Sequence, residues 1–236
     1  MNIKIYTDKK KEQEITNLDN WTRPKQKEKH WKDGRSAKEL AKYMTVNLPA
    51  IPSQLEELLV GKFNCSLDTA FTGIPECVTN LPGLGEGRNH DILLWADEQD
   101  IVIGLEAKVD EALGDLISHK KFESQNSENR LTKMYNSIYG TDLDFECVKT
   151  KDLMYQLLSA TYGTLKEVKD IKGKGNGVLL ILTFMNGEVA NDKMLSTRQA
   201  IMDFRTQLKS FCQLDGSYRF SNYPDINFWI VEIYVK

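Results

Sequence analysis

Two apolar runs, residues 92–96 (ILLWA) and 101–107 (IVIGLEA), flank the polar tetrad Asp97-Glu98-Gln99-Asp100, a pattern that predicts a β-hairpin. A tight symmetric turn pairs Ala96 with Ile101 and carries the register on to Asp91 opposite Glu106. Both runs are apolar on both faces, as expected of strands in a sheet covered by helices on each side. Upstream, Ala37, Leu40, Ala41 and Met44 recur at helical spacing and predict a helix over 36–47, with Ser36 and Glu39 as a capping box and Pro49 ending it. A second short helix is predicted over 54–60, capped by Ser53 and striped by Leu55, Leu58 and Leu59. Residues 63–79 read as extended and lead into the turn-rich loop 81–87. Further helices are predicted over 116–139, with a polar interruption at 124–127, over 152–168 and over 192–211. The runs 177–184 (GVLLILTF) and 227–235 (NFWIVEIYV) predict a buried and a final strand. This order of elements predicts an α/β/α sandwich formed by one domain, 36–236.

Residues 1–35 look different. They carry ten Lys and Arg against six acids, a local excess of +4, punctuated by Trp21 and Trp31. A basic arm that touches phosphates is one reading. The interspersed acids favour the other, a solvated surface segment whose two Trp side chains tuck onto the core. The whole chain of 236 residues has a formal net charge of −3, so any nucleic-acid site must be local. No apolar run suits a signal peptide or a membrane span. The four cysteines show no CxxC spacing, and a reduced cytoplasmic protein without membrane partners is expected.

Chemistry concentrates at the open end of the hairpin. Facing residues of an antiparallel pair have Cβ atoms roughly 5 Å apart, where like charges repel. Asp91 and Glu106 form such a pair, and Lys108 shares the face of Glu106. A divalent cation between the carboxylates is the simplest relief. Other chemistries find less support. His30, His90 and His119 lack zinc-site spacing, and strand alternation would turn His90 away from Asp91. The loop 81–87 is not a phosphate-binding loop. Residues 173–177 precede a strand where a dinucleotide fingerprint would follow one, so they read as a connector.

The pattern Asp91, then Glu106-Ala107-Lys108 on the next strand, resembles the PD-(D/E)XK nuclease superfamily. The resemblance extends through Asn89-x-Asp91, Glu106-x-Lys108-Val109-x-Glu111-x-x-Gly114, Arg130-Leu131 and Tyr155-Gln156-Leu157-Leu158-x-x-Thr161, over roughly residues 49–185. It is similar to a bacterial branch of that superfamily, with departures at Leu105, Leu113 and Met154, the last replacing an Arg. The resemblance implies a restriction-endonuclease-like α/β fold with a central mixed sheet. It also implies hydrolysis of nucleic-acid phosphodiester bonds, with DNA the preferred substrate. Asp91, Glu106 and the Ala107 carbonyl would hold Mg²⁺ or Mn²⁺, with Glu56, or its neighbour Glu57, as a further ligand from the preceding helix. Lys108 would act beside the attacking water, Gln156 and Tyr155 would position water or phosphate, and Glu111 would lie near the metal. Coordinated cutting of two strands would call for a homodimer. A class-level alternative keeps the fold as a non-catalytic binding or interaction module, in keeping with the negative net charge and Met154. A small-molecule or nucleotide reaction is a third.

Overall fold

A computed structural model describes residues 1–24, 31–83, 87–109, 111–119, 124–144, 152–185 and 192–236. His30, Asp110, Cys147 and part of the Lys-rich segment and of loop 81–87 lie outside the described residues. The architecture is α/β. Among the described residues, one mixed sheet of eight strands is built from β1 (Asn2–Tyr6), β2 (Glu14–Ile15), β3 (Ala70–Thr79), β4 (Arg88–Ala96), β5 (Ile101–Lys108), β6 (Gly175–Phe184), β7 (Tyr218–Phe220) and β8 (Tyr223–Val235). The strand order is β2-β1-β3-β4-β5-β6-β8-β7. Five α-helices are described: α1 (Ser36–Thr45), α2 (Ser53–Phe63), α3 (Gln125–Tyr139), α4 (Tyr155–Ile171) and α5 (Asp192–Gln207).

Helices cover both faces. Leu93, Val102, Leu179 and Ile181 pack with Leu131 of α3, Leu157 of α4 and Phe204 of α5. Ile92, Leu94, Ile103 and Leu180 pack on the other side with Leu40 of α1 and Leu55 and Leu59 of α2. This two-sided burial is why β5 is buried along its whole length. It is flanked by β4, antiparallel, and β6, parallel. The predicted hairpin register is the observed one, with Ile92 opposite Leu105 and Trp95 opposite Val102.

The first residues depart from expectation. They do not stand apart from the domain: β1 runs parallel to β3, and β2 folds back on β1. Ile3 and Ile5 are buried while Asn2 and Lys4 are exposed, a period-two signal only five residues long amid a Lys-rich stretch. Trp21 is buried and Trp31 is half-buried against the core, so both Trp tuck inward as favoured above. Lys9, from the β1–β2 connection, reaches across to Glu167 of α4 at 2.7 Å.

Local details differ too. Arg35, not Ser36, caps α1, and the Ser36–Glu39 box does not form. Glu39 accepts the Gly34 N–H instead. Gly175 is no mere connector: its φ is +111°, and a Cβ there would run into the Asp100 carbonyl of the β4–β5 turn. Asn176 N–H donates to that same carbonyl. Among the described residues, no helix is long and apolar enough to cross a membrane.

Candidate metal and catalytic site

The ladder between β4 and β5 ends at Ile92 and Leu105. Beyond it the Ala107 N–H finds no backbone carbonyl on β4 and instead donates to Asp91 Oδ2 at 2.7 Å. Asp91 thus sits where the two strands part. An extended residue directs its N–H and C=O toward the same neighbour, so the Ala107 carbonyl opens to the same side. Glu106 and Lys108, two residues apart on β5, are both buried and point toward α4. At the start of α4, Gln156 links them: its Nε2 donates to Glu106 Oε2 at 3.2 Å, and its Oε1 accepts from Lys108 Nζ at 3.4 Å. Asp91, Glu106, Lys108 and Gln156 are therefore brought to one place.

Glu56 is not brought there. It binds the Met1 amino group. Met1 precedes Asn2, which pairs with Ala70 at the opposite end of the sheet from Asp91. Its position near the apolar edge of α2 aims it at the wrong end of the strands. Glu111 accepts from Ser36 Oγ at 3.3 Å and so ties the chain after β5 to α1.

His90 turns toward α4 together with Glu106. Its Nδ1 lies 4.0 Å from Glu106 Oε1. The reason is a break in the pleat. Pro75 pairs with Ile92 and Cys77 with His90, while Glu76 between them has a φ of +49°. Ile74 and Cys77 both join the α4 side of the core, three residues apart where strict alternation allows two or four. Gly104 and Gly163 make room for the imidazole. A Cβ on Gly104 would lie 2.8 Å from His90 Nδ1, and one on Gly163 2.9 Å from Nε2. Burial holds the ring pKa down to about 4, only partly opposed by the Glu106 charge, so the imidazole is neutral at pH 7.

Two residues that sequence reasoning missed complete the cluster. Glu76, opposite Asp91, has its pKa pushed up to about 8 by burial and then by the charges of Asp91 and Glu106. Arg88, the first residue of β4, forms an ion pair with Glu106 Oε1. The available signals were an acid inside an otherwise apolar strand and an Arg one residue before the Asn89-x-Asp91 motif. Asp91 itself is pushed up to about 7 by burial and the Glu106 charge, with Lys108 and the Ala107 N–H pulling the other way. Three carboxylates thus sense one another in poorly solvated surroundings, balanced by Lys108 and Arg88. They do not form a ready cage: among the described residues, no three His, Cys, Asp or Glu side chains are grouped so as to hold a metal ion.

Residues 14–222 match the model of a family described as a domain of unknown function, DUF6946. The chain belongs to the DUF6946 family. The DUF6946 match encloses Glu76, Arg88, Asp91, Glu106, Lys108 and Gln156, while β1 precedes it. No curated protein and no solved structure matches the chain. A cleft of about 410 Å³ adjoins the cluster in this DUF6946 chain, lined by Gly114, Asp115, His119, Asp152, Met154 and Asp203 among others. A Cβ on Gly114 would touch Gln156 at 3.5 Å, which places the cleft beside the site.

Proposed function

We propose that this DUF6946 chain is a divalent-cation-dependent nuclease on a restriction-endonuclease-like fold, hydrolysing phosphodiester bonds of nucleic acid, DNA foremost. The observation that carries the reading is Asp91 at the parting of β4 and β5, beside a Glu106–Gln156–Lys108 chain of contacts. The donor set fits Mg²⁺ or Mn²⁺. Such ions take oxygen ligands, and Mg²⁺ keeps several waters while binding through one or two carboxylates and substrate phosphate. Asp91 and Glu106 supply the carboxylates, and the Ala107 carbonyl opens to the same side. When bound, the cation supplies Lewis acidity and lowers the pKa of water. Lys108 then orients the attacking water and offsets charge growing on the phosphate. Gln156 holds Lys108 and Glu106 in fixed relation through its amide.

One observation favours a second reading, a non-catalytic binding module. Asp115, Asp152 and Asp203 make the adjoining cleft acidic, and Met154 lines it where the resembling pattern has an Arg. A phosphate backbone would be repelled there.

The test is cleavage of linear and circular DNA and of RNA with Mg²⁺, Mn²⁺ or EDTA. Lys108→Ala should lower metal-dependent cleavage by about 10²–10³-fold while Mn²⁺ binding persists. Mn²⁺ bound by the wild type without cleavage of any substrate moves the reading to the binding module. No Mn²⁺ binding at all sinks the site.

A further inference from the structure

Arg88 lies outside the nuclease-like motif, yet its guanidinium is in direct contact with Glu106. The Glu106 side chain is 3% exposed and that of Arg88 15%, so the pair sits just beneath the rim of the site. Its backbone is fixed there by Gly87, where a Cβ would meet Val78 Cγ1 at 2.6 Å, so β4 enters tight against β3. The Arg88 stem runs along Gly163 of α4, where a Cβ would come within 3.4 Å of its Cγ. The fully buried His90 occupies the space beneath. A displaced Arg88 head can therefore only move outward. The Tyr155 phenol is close enough to feel the charges of both Arg88 and Arg130.

We propose that Arg88 is a phosphate-binding residue held in reserve: its guanidinium neutralises Glu106 in the cation-free protein and moves to a substrate phosphate when a divalent cation occupies Asp91 and Glu106. The inference rests on the nuclease reading. Two cations cannot share Glu106 Oε1 without repulsion. A guanidinium released near the rim presents a planar fork that matches phosphate oxygens, and its weak hydration lowers the cost of leaving a carboxylate. Arg88 would thereby tie cation binding to substrate binding.

Calorimetry with Mn²⁺ alone, and anisotropy of labelled DNA with Ca²⁺ as the cation, test this on the full chain. Arg88→Gln keeps most of the stem. It should tighten Mn²⁺ about tenfold, because a competing charge is removed, and weaken DNA binding about tenfold, because a phosphate contact is lost. Mn²⁺ affinity that is unchanged or weaker overturns the inference and leaves the nuclease reading standing. Tighter Mn²⁺ with unchanged DNA affinity also overturns it, since no transfer to phosphate then occurs. If the wild type binds no Mn²⁺, inference and reading fall together. Should Arg88→Gln not fold, Arg88→Lys retains the charge without the fork. It should bind Mn²⁺ like the wild type and DNA more weakly, and DNA affinity equal to the wild type overturns the inference.

Discussion

Gly104 and Gly163 show how single residues set the geometry beneath the site. Neither has a positive φ; each is small because the His90 ring lies against it. Gly104→Ala would press a methyl onto His90 and the Thr164 hydroxyl, both buried. Overpacking of this kind costs about 1–3 kcal/mol. Urea unfolding should show that loss, and an unchanged midpoint would mean that the ring is not confined as described. The residues of the site were unequally legible. Asp91, Glu106 and Lys108 stood out because charges in doubly apolar strands are costly and need a reason. Gln156 followed from the family-like pattern. Glu76 and Arg88 gave only faint signals, because their roles depend on a pleat break and an ion pair between separate strands. Glu56 misled, since helical spacing alone says nothing about which end of the sheet a helix side chain meets.

Among elements, the β4–β5 hairpin was the most legible. Its register follows from a short symmetric turn, and a one-residue slip would turn Asp91 and every apolar side chain to the wrong face. The short strands at and beside the sheet edges were the least legible. β1 is five residues, β2 two and β7 three, too short for a pattern to rise above its surroundings. What secures β1 and β2 is partly a long-range contact, Lys9 with Glu167, whose carboxylate also accepts from Thr79 Oγ1 at 2.7 Å. Lys9→Met leaves Glu167, 2% exposed, with the Thr79 hydroxyl but without its Lys9 ion pair. A fully buried pair broken on one side loses about 3–5 kcal/mol. Lys9 is 45% exposed, so about 1–2 kcal/mol is expected after solvent screening. Denaturant titration measures it, with Glu167→Gln in the same background as the second arm of a double-mutant cycle; additive losses would show that the pair does not interact.

At the scale of the molecule, the clustered carboxylates couple stability to pH. Asp91 rises from 3.8 to about 7 and Glu76 from 4.5 to about 8 on folding. The folded chain therefore holds more protons than the unfolded chain between those values. Stability contributed by these groups falls as pH rises from about 4 toward about 8. In EDTA, the wild type should lose more melting temperature between about pH 5 and pH 8 than Asp91→Asn does. On the proposed reading, saturating Mn²⁺ should flatten the wild-type decline, because a cation held by the ionised carboxylates would stabilise the folded state. Parallel pH profiles for wild type and Asp91→Asn would show that Asp91 ionises as freely folded as unfolded.

By itself the sequence determined the α/β class, the hairpin and its register, the two-sided burial of the central strands and the meeting of Asp91 with Glu106 and Lys108. Those follow from periodicity and turn length, which act between near neighbours in the chain. Only the tertiary structure decided that β1 joins the sheet, that Glu56 lies at its far end, that His90 turns toward α4 and that Glu76 and Arg88 enter the site. Each of these depends on which distant segments share a sheet edge or a buried charge, and local pattern carries no record of such pairings.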